Sequence, residues 1–172
     1  MTKTPLQRAQ KGLRISDVYM RRSVLTVSDA YEHRSDDMEG LQAQFRHFVE
    51  KSEVLEEQNG NQPPHKFFRV HLDLGYRWGL DGAKSPEVNE SDDGFEELGR
   101  IEAKYVAEYE ITDELPQECL DAFALNNASY HVWPYWREYV SNSCARMNVP
   151  KLVMPTMQPA QNREAKKPSS GD

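Results

Sequence analysis

The plainest pattern in the chain is the alternation of apolar and polar residues between Phe67 and Leu80. Phe68, Val70, Leu72, Leu74 and Tyr76 fall on one parity, while Arg69, His71, Asp73 and Arg77, with His65 just before the run, fall mainly on the other. Successive side chains of a strand point to opposite faces, so this pattern predicts a strand with one covered and one wet side. Phe95 to Thr112 repeats it: Ile101, Ala103, Tyr105, Ala107, Tyr109 and Ile111 alternate with Glu102, Lys104, Glu108 and Glu110. Such one-sided alternation is typical of an antiparallel sheet. Leu13 to Ser28 is rich in β-branched and aromatic residues and also reads as a strand, but its alternation slips. Leu13, Ile15, Asp17, Tyr19 and Arg21 share one parity, and Val18, Met20, Val24 and Thr26 share the other.

Leu41 to Glu50 fits two templates. Leu41, Ala43, Phe45 and Val49 alternate with Gln42, Gln44 and Arg46, as in a strand, yet Met38, Leu41, Phe45 and Phe48 make a helical stripe. Local propensity leans to helix. Beyond Thr112 the period changes. Leu115, Cys119, Leu120, Phe123 and Ala124 form a helix stripe with Thr112 or Asp113 as N-cap and Asn126-Asn127 as a stop. A second helix is predicted from near Trp133-Pro134, where proline suits the first turn, through Trp136, Val140, Cys144 and Met147 to a stop before Pro150. Residues 28–37, 56–64 and 81–94 read as loops. Strands followed by helices predict an α+β fold: a four-stranded antiparallel sheet, then two helices packed on one side. The expected organisation is a flexible arm over 1–12, one domain over 13–157 and a disordered tail over 158–172.

Hydrophobic residues are 38% of the chain and charged residues 28%, which supports only a thin core, completed by oligomerisation or trailing solvated tails. A net charge of −7 with no dense basic run argues against nucleic acid as a partner. The polar start, Met1 to Lys11, lacks the apolar core of a signal peptide, and no apolar run reaches the ~20 residues that cross a bilayer. The expectation is a cytoplasmic protein without membrane insertion, its two cysteines, Cys119 and Cys144, reduced.

Few residues suggest covalent chemistry. His71 and Asp73 share a strand face, with His65 nearby, but a metal site needs three or four convergent ligands. Cys119 and Cys144 lie on apolar stripes, where a thiol behaves as a small hydrophobe, and His131 has no orienting partner in the sequence. No phosphate-binding glycine loop is present, and the acidic stretch from Glu87 to Glu97 lacks EF-hand spacing. The expectation is therefore no cofactor and no enzyme, the alternative being a small-molecule enzyme built on His71 and Asp73 or on Cys144. What stands out instead is Tyr130, Trp133, Tyr135, Trp136 and Tyr139 within ten residues. One helix face cannot bury them all, so some are expected to line an apolar groove.

The segment from Tyr130 to Pro155 carries a resemblance. Trp133-Pro134-Tyr135-Trp136-Arg137-Glu138, then Ala145-Arg146, then Pro150-Lys151-Leu152 and Pro155 resemble the aromatic-Pro-Tyr-x-Arg-Glu stretch and the later small-x-Arg and Pro-x-Leu elements of the SecB family of chaperones. Upstream, Leu13 to Tyr19 and Ala107 to Ile111 look like that family's first and last strands. The resemblance implies that Leu41 to Glu50 is a strand. It also implies an ATP-independent holdase that binds unfolded polypeptides in preprotein export, or a dedicated protector of the antitoxin in a toxin–antitoxin system. Members are dimers of dimers. The implied client groove takes in Leu41, Phe45, Tyr109, Ile111, Trp133, Tyr135 and Trp136, and the implied oligomer interface takes in Cys119, Leu120 and Phe123. In the export branch, acidic residues on the first strand dock the motor SecA. Arg22 and Thr26 occupy those positions here, leaving Glu102 as the implied contact with the motor.

Overall fold

The computed structural model describes residues 3–33, 40–58, 60, 64–81, 94–149 and 153–162. Parts of the three expected loops, and the tail from residue 163, lie outside them. The element order is α1 (Pro5–Gly12), β1 (Leu13–Val27), β2 (Leu41–Glu57), β3 (His65–Asp81), β4 (Phe95–Ile111), α2 (Gln117–Asn126) and α3 (Ala128–Met147). The four strands form one antiparallel sheet in the order β1-β4-β3-β2. The α+β architecture expected from the sequence is thus the one observed, and Leu41 to Glu50 is strand.

The two central strands carry the alternation most cleanly because both edges are paired. Phe68, Val70, Leu72, Leu74 and Tyr76 of β3 lie opposite Tyr109, Ala107, Tyr105, Ala103 and Ile101 of β4, and all ten are buried under the helices. Trp78 continues this row opposite Gly99. A Cβ on Gly99 would stand 2.1 Å from the Trp78 ring, so only glycine lets the indole lie flat on β4.

The slipped alternation of β1 has a physical cause. Its pairing with β4 shifts between Ile15 and Asp17 and again between Met20 and Arg22. Each extra residue is a bulge, and each bulge flips the parity of the residues after it. Leu13 and Ile15, then Val18 and Met20, then Ser23, Leu25 and Val27 therefore all face the helices, opposite the covered row of β4. β2 has one such shift, between Val49 and Lys51.

Three boundaries differ from the sequence expectation. Residues 5–12, read as a flexible arm, form α1. Thr4 and Gln7 make a capping box, Ala9 is fully buried, and the helix packs on α2. Thr112 and Asp113 do not cap α2. The Thr112 N–H donates to Gly12 O at 2.9 Å, which prolongs the extended chain beside α1, and Pro116 sits at the N-cap instead. Lastly, α3 starts at Ala128, not at Trp133-Pro134, and Pro134 lies inside it on the exposed side. The missing proline N–H thus falls where no packing depends on it.

Candidate functional site

Strand and helix lengths decide what remains open. Strands of 15 to 17 residues extend about 50–55 Å. The 20 residues of α3 extend about 30 Å and the 10 of α2 about 15 Å. Two such helices cannot cover one face of the sheet. The helix-side residues left partly open are Ile15 (42% exposed), Leu25 (39%) and Val54 (42%), towards the sheet's margins. On α3, Tyr130 and Tyr135 are 57% and 52% exposed. These five open apolar and amphipathic positions are spread over β1, β2 and α3 around the helix layer.

The aromatic cluster is divided between core and surface. Trp133 and Trp136 are buried, as is Tyr109, whose ring meets Phe123 edge-on at 4.9 Å and whose hydroxyl lies 2.9 Å from His131 Nδ1. Burial pushes the Tyr109 hydroxyl well up and the His131 imidazole down. Leu41, Phe45 and Ile111 are half-buried at the rim of the core, and Tyr135 is exposed. Cys119, Leu120 and Phe123 are covered within the protomer, on the side of α2 that meets the sheet and α1. Of the expected groove residues, then, Tyr135 is open, Leu41, Phe45 and Ile111 are partly so, and the two tryptophans with Tyr109 support them from below.

A residue not singled out in the sequence ties these parts together. His47 follows Phe45 on the helix-side row of β2 and is buried. Its ring stacks on Trp133 with centroids 5.5 Å apart, and its Nε2 is 3.0 Å from Ser129 Oγ. Nδ1 faces the Gln158 backbone without closing a hydrogen bond of ordinary geometry. Burial lowers its pKa from 6.5 to about 4. Residues 153–162 pass over this pair. The Trp133 indole N–H donates to Pro155 O at 3.0 Å, and Met154 and Ala160 turn inward. The segment then runs onto the free edge of β2. Gln161 N–H donates to His47 O at 2.7 Å, and Gln161 Oε1 accepts from His47 N–H at 3.1 Å. Asn162 repeats the arrangement on Val49, its carboxamide accepting from the N–H at 3.1 Å and donating to the carbonyl at 2.8 Å. The sequence held two signals of this: a histidine on an apolar row, and a stretch from Val153 to Asn162 without one charged residue.

The opposite face of the sheet is an ionic lattice. Arg46 bridges Asp73 at 3.0 Å and Glu102 at 3.1 Å, and its side chain covers Gly75. Arg69 and Tyr19 both bond Glu108, at 2.6 and 2.7 Å. Burial pushes the Glu108 carboxyl up, but these two hydrogen bonds and the Arg69 charge hold it below the usual range. His71 bonds Glu53 at 2.8 Å while Asp73 is held by Arg46, so the two do not converge on a common point. Among the described residues no three metal-ligating side chains come together. Cys144 is buried on the inner side of α3. No described helix is long and apolar enough to cross a membrane.

No family model matches the chain, and no curated protein sequence matches it. Its fold does match a solved structure: the Mycobacterium tuberculosis SecB-like chaperone Rv1957 in complex with a ChAD peptide from the Rv1956 HigA1 antitoxin. The TM-score is 0.62 over 90% of this chain and 96% of that one, at 17% sequence identity. The likeness in fold bears out the resemblance carried by Tyr130 to Pro155, and it spans the sheet as well as the helices.

Proposed function

We propose that this protein is an ATP-independent chaperone that holds polypeptides in non-native form. The observation that carries the reading is the incomplete cover of the sheet: Val54, Tyr130 and Tyr135 remain accessible beside a helix layer too short to hide them, while Ile15 and Leu25 lie open on the edge strand β1, where a second copy can close over them. A holdase needs such surface, spread out so that several shallow contacts add along one extended client. The half-buried Leu41, Phe45 and Ile111 add apolar surface at the rim of the core. The fold's likeness to a SecB-like chaperone solved with a bound peptide supports the same reading. The net charge of −7 keeps empty copies soluble and apart. Assembly as a dimer of dimers in the cytoplasm belongs to the proposal, because a thin core with open apolar margins gains most from a second copy.

Of the two duties expected of such a chaperone, care of a dedicated antitoxin is favoured over delivery to SecA. Arg22 lies beside Lys104, and Thr26 beside Arg100, on the outer face of the sheet. Glu102, the remaining acidic candidate, is engaged by Arg46. That face therefore offers no acidic row along β1.

The test is suppression of aggregation. Purified protein without nucleotide is expected to slow light scattering by a model protein diluted from denaturant, at a few subunits per client. No slowing at a tenfold excess of subunits would sink the proposal. Co-expression with the antitoxin of a neighbouring toxin–antitoxin pair, scored by antitoxin half-life, separates the two duties.

A further inference from the structure

Gln161 and Asn162, at the end of the segment 153–162, occupy the edge of β2 in the manner of a bound peptide. The edge strand of a sheet presents unpaired N–H and C=O groups, and proteins commonly cover or blunt such edges. Here the cover is made largely of side chains. The carboxamide of Asn162 accepts from and donates to the backbone of Val49, as a peptide group in a neighbouring strand would. Gln161 does the same for His47 with its backbone N–H and its side-chain oxygen, and its Nε2 reaches towards Phe45 O at 3.5 Å. Three alternate residues of β2, Phe45, His47 and Val49, thus have edge groups engaged by two residues of the segment.

The composition of the segment points the same way. It is uncharged over ten residues, from Val153 to Asn162, in a chain of which 28% is charged. Met154, Met157 and Ala160, every third residue, pack inward, with Met154 and Met157 against the core. An uncharged stretch that turns apolar side chains to one side is what an unfolded client offers. It lies directly over Trp133 and next to Phe45.

Building on the chaperone reading, we propose that residues 153–162 are an internal occupant of the client site, and that an extended, uncharged segment of a client displaces Gln161 and Asn162 to add as a fifth strand along Phe45–Val49. Main-chain hydrogen bonds to β2 then give sequence-tolerant affinity, as in other cases of strand addition. A client strand that continues along β2 past Phe45–Val49 adds main-chain bonds that Gln161 and Asn162 cannot make, so a long client can displace them. The occupant shields the edge and the aromatic floor while no client is present. The apparent affinity for a client is reduced by the fraction of molecules in which the segment is seated.

The experiment uses the full chain with Gln161→Ala and Asn162→Ala together, and a reduced, carboxymethylated, permanently unfolded model protein as probe. The double variant is expected to bind the probe about fivefold more tightly than wild type, the scale set by the seated fraction. In hydrogen exchange the amides of His47 and Val49 are expected to exchange faster in the free variant and to regain protection with the probe, while in wild type the Gln161 amide, bonded to His47 O, is expected to lose protection when the probe binds. The wild-type exchange decides the matter even where the variant folds poorly. If wild type captures the probe but its Gln161 amide loses no protection, or if the folded double variant binds with unchanged affinity, this inference fails and the chaperone reading stands. If wild type captures no unfolded probe at all, the chaperone reading fails and takes the inference with it.

Discussion

The rings of His47 and Trp133 stack 28° from parallel with centroids 5.5 Å apart, and they join the edge strand β2, α3 and the C-terminal segment into one unit. Trp133 is therefore a structural support of the surface above it. Trp133→Ala is expected to cost about 3–5 kcal/mol of stability, the usual range for truncating a buried aromatic ring. Tyr130→Ala and Tyr135→Ala, at half-exposed sites, are expected to cost less than about 1 kcal/mol while weakening capture of an unfolded client. Chemical denaturation beside an aggregation assay separates the two groups. Equal stability losses at Trp133 and Tyr135 would contradict the division between core and surface.

His47 also makes stability depend on pH. Its folded pKa of about 4 lies below the ordinary 6.5, so the unfolded chain takes up the proton first as pH falls. The contribution of the neutral ring is complete above pH 6.5 and is lost as pH drops towards 4. A shift of this size corresponds to roughly 3 kcal/mol. His131, also lowered by burial, adds a loss of the same sign. Denaturant melts at steps from pH 7.5 to 4 should show falling stability in wild type and a shallower fall in His47→Gln. Identical slopes would show that His47 titrates normally in the folded state.

How far the sequence spoke depended on how directly each element obeys a local rule. β3 and β4 were legible because both are central strands with one covered face, and nothing interrupts the period of two between Phe68 and Tyr76 or between Ile101 and Tyr109. β1 was legible in kind but not in facing, since the bulges at Ser16 and Arg21 are set by pairing with β4 and leave no local sign. β2 was decided by resemblance against helix propensity, and burial of His47 and Val49 against α3 and β3 is what overrides that propensity. The start of α3 was missed because Pro134 looks like a first-turn residue. It is tolerated at the seventh position because it faces solvent. Residues 158–162, expected as the start of a disordered tail, instead pack through Ala160 and bond β2 through Gln161 and Asn162, and the sequence did not show it because those partners lie more than a hundred residues earlier.

Gly99 offers a test of the sheet's interior. The Trp78 ring lies across the position where a Cβ would stand, and it stacks on Tyr76 with centroids 5.4 Å apart. Gly99→Ala is expected to destabilise the protein by about 3 kcal/mol, at the upper end of overpacking costs. Trp78→Leu should be costly alone, but combined with Gly99→Ala the two losses should fall short of their sum by at least about 1 kcal/mol. Additive losses in the double variant would show that the two residues do not meet.

Ile15 and Leu25 test the proposed assembly. Both lie on β1, an edge strand, on the side that faces the helices, and both are about 40% exposed in the protomer. Ten positions separate the two residues, an even number, so the period of two puts them on one face and the two bulges, at Ser16 and Arg21, cancel. An edge strand with an open apolar row is stable in solution when a second copy covers it. Native mass measurement is expected to show an oligomer for wild type at micromolar concentration. Ile15→Asp with Leu25→Asp should shift it towards monomer, because a carboxylate in a closed apolar interface loses its hydration without a partner. The same charges in the monomer sit near water, so the far-UV signature of the sheet should persist. A wild-type monomer at that concentration, or an assembly indifferent to both aspartates, would place the contact between copies elsewhere or remove it altogether.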